Sequence, residues 1–368
     1  VLSEGLRLEG LVGISGLLQE NVYRGWPLLS DYRAFGAGVF AIERLVIGRF
    51  ELEAGARFDH MSREAHIPVK TYEKLLRAER ISPDICIVGD DFTRCPSTFN
   101  AGTLSLGALM RISKGLNAKL DLSTATRFPS IDEQYISGAS PAFPVMARGF
   151  AELGPETSWS LSGTFEVASP WISAELSVFG SLIDDYIYLA PELREDGTVR
   201  TDVLISGRYP RFGYGPIDAV FYGFDANASL RLGRFDLSLQ GSLVRAYDLD
   251  RGEFLLFIPS DRLQTEVTYR PPDGPVAFDS YLSINASLVA PQYTVSPEVD
   301  FAPVPDGYLL LGASVGTKFK VGDHHVSLSV EAQNLLNMRY RDYTSLLRYY
   351  ADEPGIQVLM LLGTEFNL

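Results

Sequence analysis

Six side chains within one short stretch of this chain are of types that could carry chemistry. Cys86 and Cys95 lie close together; in an exported protein such a pair most simply forms a disulfide, and a metal-binding dithiol is the alternative. Just upstream, carboxylate and imidazole groups could together bind Zn²⁺ or a similar ion. These residues are Asp59, His60, Glu64 and His66. Scattered, solvated loop charges are the other interpretation of the same four residues.

Two further segments combine cationic and aromatic side chains, which could grip an anionic, partly aromatic chelate. Tyr23, Arg24 and Trp26 form the first segment. Arg208, Tyr209 and Arg211 form the second. The alternative is an aromatic belt at a membrane interface, with the arginines at the level of the lipid headgroups.

The sequence shows no enzyme signature. It has no G-x-S-x-G, no H-E-x-x-H and no phosphate-binding glycine loop. Asp184 and Asp185 are adjacent, so their side chains diverge on a strand, whereas paired acid–base chemistry needs them to converge. The net charge of −14 also argues against nucleic acid as a partner, because nucleic-acid binding calls for a basic stripe. We therefore expect a protein that is not an enzyme.

The elements that must position these residues are predicted by an alternation of apolar and polar residues with a period of two. Residues 224–232 place apolar side chains at every even position and polar ones between them, and residues 235–243 repeat the pattern. The connection between the two is so short that they predict a tight hairpin. No run approaches the roughly 18–20 apolar residues that a transmembrane helix needs.

We expect about fourteen strands in all. They cover residues 4–17, 34–47, 49–60, 98–112, 116–127, 157–169, 171–188, 217–232, 235–247, 261–270, 277–290, 306–319, 325–338 and 355–368. Short turns alternate with long loops, which cover residues 18–33, 61–97, 128–156, 189–216, 248–260, 291–305 and 339–354. Turns at one end of a sheet and long loops at the other are typical of a transmembrane, antiparallel, up-and-down β-barrel. The sequence thus predicts an all-β barrel.

Eight segments, in order along nearly the whole chain, resemble the TonB-dependent outer-membrane receptor family. They are residues 55–59 (GARFD), 127–135 (RFPSIDEQY), 153–158 (LGPETS), 179–188 (FGSLIDDYIY), 258–263 (IPSDRL), 305–308 (PDGY), 334–340 (NLLNMRY) and 354–355 (PG), the last opening an alternating apolar strand. Several of these segments place proline at a strand end, where a missing N–H costs no ladder hydrogen bond.

The resemblance implies that residues 1–368 are part of a barrel that has about 22 strands in the family. Neither the family's plug domain nor its TonB-contacting segment is visible, and no export signal precedes the first strand. An N-terminally truncated chain, or a piece of a longer protein, is the simplest expectation. A free-standing barrel of about fourteen strands is the alternative.

The resemblance further implies an active transporter in the outer membrane of a Gram-negative-type bacterium, without a cofactor of its own. Its expected partners are outer-membrane lipid, an extracellular small molecule or metal chelate such as a siderophore, and TonB, reached through the plug segment that is not visible here. The family's haem receptors carry a histidine in the loop at 128–156, and this loop has none. A plugless diffusion channel and a water-soluble adhesive protein remain alternative functions.

Overall fold

The alternating sequence forms one large sheet in the computed structural model of this chain, which describes residues 6–24, 30–140, 143–205, 207–295, 299–321 and 324–365. Fourteen long strands, here called the wall, pair antiparallel in chain order, as the sequence predicts. They are β1 (Leu6–Asn21), β2 (Asp31–Ile47), β3 (Phe50–Pro68), β5 (Phe92–Ser113), β6 (Leu116–Arg127), β9 (Glu156–Ala168), β10 (Ile172–Pro191), β12 (Gly207–Leu232), β13 (Phe235–Asp248), β15 (Arg262–Tyr269), β16 (Ala277–Val289), β17 (Tyr308–Val321), β18 (His324–Gln333) and β19 (Gln357–Glu365).

Strand register brings side chains of like polarity together across the wall. In the β12–β13 hairpin, Asn227 lies opposite Gln240, whereas Ala228 lies opposite Leu239. This is the pairing that the period-two pattern predicts, because a slip of one residue would turn every side chain to the other face. The hairpin therefore fixes one apolar and one polar face.

The same two faces continue along the neighbouring strands. On the polar face the hydroxyls of Ser160 and Ser181 lie 2.7 Å apart, and those of Thr164 and Ser177 lie 3.0 Å apart. On the opposite face, large apolar side chains remain exposed. They include Leu106, Leu120, Leu122, Leu161, Phe165, Leu176, Val178, Leu239, Leu263, Val267, Ile284 and Leu288. An apolar outer face and a polar inner face are the pattern of a transmembrane barrel.

Tight turns close one end of the wall. Gly48 follows β2 with φ +57°, and Gly233 follows β12 with φ +66°. Both lie in two-residue connections between directly paired strand ends. Such turns require a positive φ, which glycine adopts without a steric penalty. We call this end the turn end and the opposite one the loop end.

The loop end is folded rather than simply connected. It holds two helices, α1 (Val69–Arg77) and α2 (Ile131–Tyr135), a 3-10 turn at Leu346–Tyr349, and short strands. The short strands are β4 (Ile87–Val88), β7 (Ser137–Ser140), β8 (Phe143–Arg148), β11 (Thr201–Leu204) and β14 (Glu253–Phe254). Several wall strands also extend into segments predicted as loop, most of all β3, β5 and β12.

Three buried apolar clusters hold the loop end together. The first joins α1 to α2 through Tyr72, Leu75 and Tyr135. The second packs Val145 and Ala147 of β8 against Phe212 of β12, and all three are fully buried. The third is built around Ala219, Ala246, Leu255 and Ile258. Burial of this kind is the main favourable term in folding, so these loops are fixed by cores of their own.

The wall has two edges within the described part of the chain. β1 pairs only with β2, and β19 pairs only with β18, among the pairings that the described residues form. In the described ranges no helix has the length and apolar character needed to cross a membrane.

Candidate functional site

Two wall strands, β10 and β12, continue beyond their neighbours at the loop end. β9 pairs with β10 only as far as Asp184, and β13 pairs with β12 only as far as Ala219. Past a β-bulge, residues 186–191 of β10 stay paired with residues 212–217 of β12. We call this two-stranded extension the ribbon. It gives the loop end a rigid backbone on which side chains can be held.

The short strand β8 pairs with the other edge of the ribbon. Arg211 and Gly213 of β12 lie opposite Met146 and Arg148 of β8, in parallel register. β8 belongs to the connection between β6 and β9, so this connection passes β9 and β10 to reach the edge of β12 that faces β13. The crossing ties two distant parts of the wall together at the loop end.

One carboxylate at the end of the ribbon receives three guanidinium groups. Glu192 Oε1 lies 2.9 Å from Arg80 Nη2, and its Oε2 lies 3.5 Å from Arg148 Nη1 and 3.9 Å from Arg211 Nη1. Arg80 comes from the β3–β5 connection, Arg148 from β8 and Arg211 from β12. We call these four residues the arginine cluster. It joins three loop segments through one side chain.

Backbone contacts and a second acid complete the arginine cluster. Arg80 Nη1 donates a hydrogen bond of 2.8 Å to the carbonyl oxygen of Tyr214, and Arg211 Nε donates one of 3.0 Å to Asp202. A Cβ atom built on Gly213 would lie 2.9 Å from Arg80 Cζ. Real Cβ atoms do not approach so closely, so any larger residue at this position would force the Arg80 guanidinium to shift.

The electrostatics of the cluster differ between its arginines. Burial lowers the pKa of Arg148, and the neighbouring Arg211 and Arg80 lower it further, against the opposing effects of Glu192 and Asp202. The hydrogen bond to Asp202 raises the pKa of Arg211. Positive charge therefore accumulates around Glu192, at a place that water reaches only in part.

A cavity of about 590 Å³ lies beside Glu192. Its walls come from the ribbon, from Arg80 and from the two loops that follow β10 and β13. The charged and aromatic residues that line it are Arg80, Tyr188, Glu192, Arg200, Tyr214, Arg251 and Glu253. A volume of this size is typical of sites for small molecules.

A second cluster of side chains fixes the last long loop, which lies beside the cavity. The Arg348 guanidinium lies over the rings of Tyr343 and Tyr349, each at 4.6 Å, and forms an ion pair with Asp300. The neighbouring Tyr350 hydroxyl donates a hydrogen bond of 2.9 Å to the Pro144 carbonyl oxygen. Cation–π contacts and a buried charge pair hold such a loop in one arrangement.

The four residues of the candidate metal site are not brought together. The segment predicted as a loop start is strand in the structure, because β3 runs to Pro68. Asp59 forms an ion pair with Arg57, whereas His66 pairs with Glu64 at 3.0 Å, and His60 contacts Asn100. Successive residues of a strand point to opposite faces, so Asp59 is separated from the others. No group of three metal-ligating side chains occurs among the residues described.

The two cysteines are joined. A disulfide links Cys86 to Cys95, with Cys95 fully buried beside α1. It closes the short loop that leads into β5, downstream of Arg80 in the chain.

The predicted ligand-binding residues differ in their surroundings. Arg211 belongs to the arginine cluster, and the Tyr209 ring lies 6.1 Å from that of Tyr350. Arg208 donates to the Thr201 hydroxyl at the exposed end of β12. Tyr23 and Arg24 are exposed, and Trp26 lies outside the described residues.

Sequence reasoning missed Arg80, Arg148 and Glu192. Arg80 and Glu192 are 112 residues apart in the chain, and Arg148 and Glu192 are 44 apart. None of them lies in a sequence motif or beside another candidate residue. Their proximity depends on the pairing of β8 with β12, which no local sequence pattern indicates.

The chain matches the family "TonB dependent receptor-like, beta-barrel" over residues 20–335. No curated protein sequence is detectably similar to it. Among solved structures it resembles the copper transporter OprC (15% identity, TM-score 0.70, 95% of this chain and 53% of that one). It also resembles the unliganded ferric citrate transporter FecA, with 14% identity and a TM-score of 0.66 over 99% of this chain and 52% of that one. A third similar structure is BauA, the ferric preacinetobactin receptor of Acinetobacter baumannii, with 13% identity and a TM-score of 0.67 over 98% of this chain and 52% of that one.

These likenesses concern the fold, because the identities are low. The chain spans about half the length of the solved structures it matches. These three proteins are transporters or receptors. The family match covers most of the chain and agrees with the wall, its two faces and the order of its strands. This chain belongs to the TonB-dependent receptor β-barrel family.

Proposed function

We propose that this chain supplies wall and extracellular loops of a transporter that takes up a scarce ligand, such as a metal chelate or siderophore, across the outer membrane. The observation that carries the proposal is the arginine cluster beside its cavity. A diffusion channel has no need to hold three loop segments on one carboxylate at the edge of a cavity. A receptor does, because a prearranged site avoids the entropic cost of ordering loops when the ligand binds.

The location in an outer membrane is supported by the two faces of the wall. Exposed leucine, valine and phenylalanine side chains occupy one face, and hydroxyl and charged groups occupy the other. In water, the apolar face would be a large exposed hydrophobic surface that promotes aggregation, whereas in a membrane lipid would cover it. The proposed host is a bacterium of the Gram-negative type, with the loop end outside the cell and the turn end in the periplasm.

The whole protein's cycle is an extension of this proposal. In it, the loop end captures the ligand, a plug domain supplied by another part of the polypeptide closes the lumen, and TonB delivers energy through that plug. The described residues account for capture alone. We place Tyr209 and Arg211 among the ligand-contacting residues, with Arg208, Tyr23, Arg24 and Trp26 as further candidates on the outer loops.

Uptake measurements on whole cells test the proposal. Cells with the full-length gene and cells with the gene deleted would be given ⁵⁵Fe, ⁶⁴Cu or ⁶³Ni, each presented as citrate and siderophore chelates, with and without a working TonB. We expect accumulation of at least one chelate that needs both the gene and TonB. Uptake that needs the gene but proceeds equally without TonB would replace this function by passive diffusion.

A further inference from the structure

The charges around the cavity do not balance. Five guanidinium groups belong to the cavity lining and the arginine cluster, those of Arg80, Arg148, Arg200, Arg211 and Arg251. They face four carboxylates, those of Glu192, Asp202, Asp248 and Glu253. The region thus carries an excess of one positive charge in a protein whose net charge is −14. Partly buried, uncompensated charge is costly, so the region would be stabilised by an added anion.

The excess is concentrated where a small molecule would fit. Arg200 lines the cavity, and its Nε donates to the backbone carbonyl of Leu193, 3.0 Å away; within the described ranges it forms no ion pair with a carboxylate. Arg80, from the connection between β3 and β5, lines the same cavity. Guanidinium groups bind carboxylate and phosphate oxygens through two parallel hydrogen bonds, so two such groups around a cavity favour a ligand with several oxyanions.

Glu192 already makes the contacts that such a ligand would make. Its side chain is 15% exposed, and its two oxygens are divided between Arg80 on the cavity side and Arg148 and Arg211 on the far side. A carboxylate or phosphate that took its place would meet all three guanidinium groups at once. Glu192 directly follows Pro191, the last residue of β10, and its backbone is hydrogen-bonded to Arg211 and Arg200, so displacement would move the side chain alone.

From this geometry we infer that the cavity binds a small ligand with two or more carboxylate or phosphate groups, and that Glu192 is an internal competitor which the ligand displaces. The inference rests on the proposed function and names the ligand class of its site. In the empty protein Glu192 holds the three loop segments together. In the bound protein the ligand's oxyanion does so, with Arg200 taking a second oxyanion across the cavity.

Calorimetric titration of the purified full-length protein in detergent, at constant ionic strength, tests the inference. The probes are citrate, with three carboxylates, pyrophosphate, with two phosphates, and maltotriose, which is neutral. We expect citrate or pyrophosphate to bind and maltotriose not to bind at the same concentration. The stronger of the two anions identifies the oxyanion as carboxylate or phosphate. Binding of neither anion overturns the inference, whatever the result of the uptake assay.

Two substitutions separate an internal competitor from a merely structural residue. Glu192→Gln removes the competing charge, so it should tighten binding of the anion by about tenfold, or about 1.4 kcal/mol. Arg80→Gln should weaken it by a similar factor, because it removes one of the two cavity-side guanidinium groups. Glu195→Gln, on an exposed neighbour in the same loop, is the matched control and should leave the affinity unchanged.

Folding of each variant is checked by the shift in electrophoretic mobility that a barrel shows on heating. Glu192→Gln that folds and yet binds the anion no better than the wild type overturns the role of Glu192. If Glu192→Gln does not fold, the anion is added during refolding. Recovery of the folded form by citrate or pyrophosphate, and not by maltotriose, is then the expected result, and failure to recover overturns the inference.

Discussion

Arg348 and Asp300 form an ion pair of 2.5 Å whose side chains are 1% and 0% exposed, 48 residues apart in the chain. The pair joins the loop before β17 to the loop before β19. Removal of one partner leaves the other charged and buried, which costs about 3–5 kcal/mol in well-buried pairs. The ion pair therefore holds these two loops together at the loop end.

Arg348→Met should loosen both loops. We expect hydrogen–deuterium exchange to speed up by at least tenfold in residues 299–305 and 339–354, since tenfold corresponds to about 1.4 kcal/mol, well below the expected loss. Asp352→Asn is the control, because it breaks a pair with Arg341 that is 43% and 40% exposed, and such pairs contribute below about 1 kcal/mol. Equal effects of the two substitutions on exchange would show that the buried Arg348–Asp300 pair does not hold these loops.

The disulfide should stabilise the connection between β3 and β5. Replacement of Cys86 and Cys95 by serine would remove about 2–3 kcal/mol, the usual effect of closing a loop of this length. We expect faster proteolysis between residues 69 and 91, with the wall intact, because α1 and Cys95 share one core. Reduction of the wild-type protein should reproduce the effect. An unchanged cleavage rate in both experiments would show that the core alone holds this segment.

Gly213→Ala should displace Arg80 from Glu192. The new methyl group would lie 2.9 Å from Arg80 Cζ and 3.1 Å from its Nη1, so the guanidinium must move. The loss of a charge-assisted hydrogen bond of this kind costs about 1.5–3 kcal/mol. Thermal melting should register the change. Gly215→Ala, on the same strand with no atom within 4 Å of the added carbon, should melt like the wild type. The reverse order would contradict the placement of Arg80.

Arginine on the apolar face should be costly, and arginine on the polar face should not. Leu176 is 46% exposed on the apolar face, and Ser177 hydrogen-bonds Thr164 on the polar face. Leu176→Arg should lower the free energy of unfolding in lipid vesicles by about 2–4 kcal/mol if the position lies near the bilayer centre. Ser177→Arg should change it by less than about 1 kcal/mol. Urea titrations of both variants in vesicles decide this prediction.

The wall could be predicted from the sequence because its signal is local. Alternation in residues 224–243 predicts both the faces and the hairpin, and the structure confirms both, with Asn227 opposite Gln240 and Ala228 opposite Leu239. The short turns follow equally from nearby residues such as Gly48 and Gly233. Each of these features depends on residues a few positions apart.

The loop end could not be predicted in the same way. Prolines and glycines between residues 189 and 216 are typical of turns, yet both ends of this segment belong to the ribbon, with Pro191 opposite Phe212. The meeting of Arg80 with Glu192 depends on three segments that converge only in the folded chain. Strand alternation likewise separates Asp59 from His60 and His66, although their closeness in sequence suggested a metal site.

A membrane-spanning wall must have lipid on one face and water on the other. Single cysteines placed at positions 237, 238, 239 and 240 of β13 in the full-length protein, labelled with a small fluorophore, report which face each position occupies in vesicles of brominated lipid. Cys86 and Cys95 are paired with each other and do not react. We predict strong quenching at 237 and 239 and weak quenching at 238 and 240. Quenching without alternation along β13 would contradict the membrane-spanning wall.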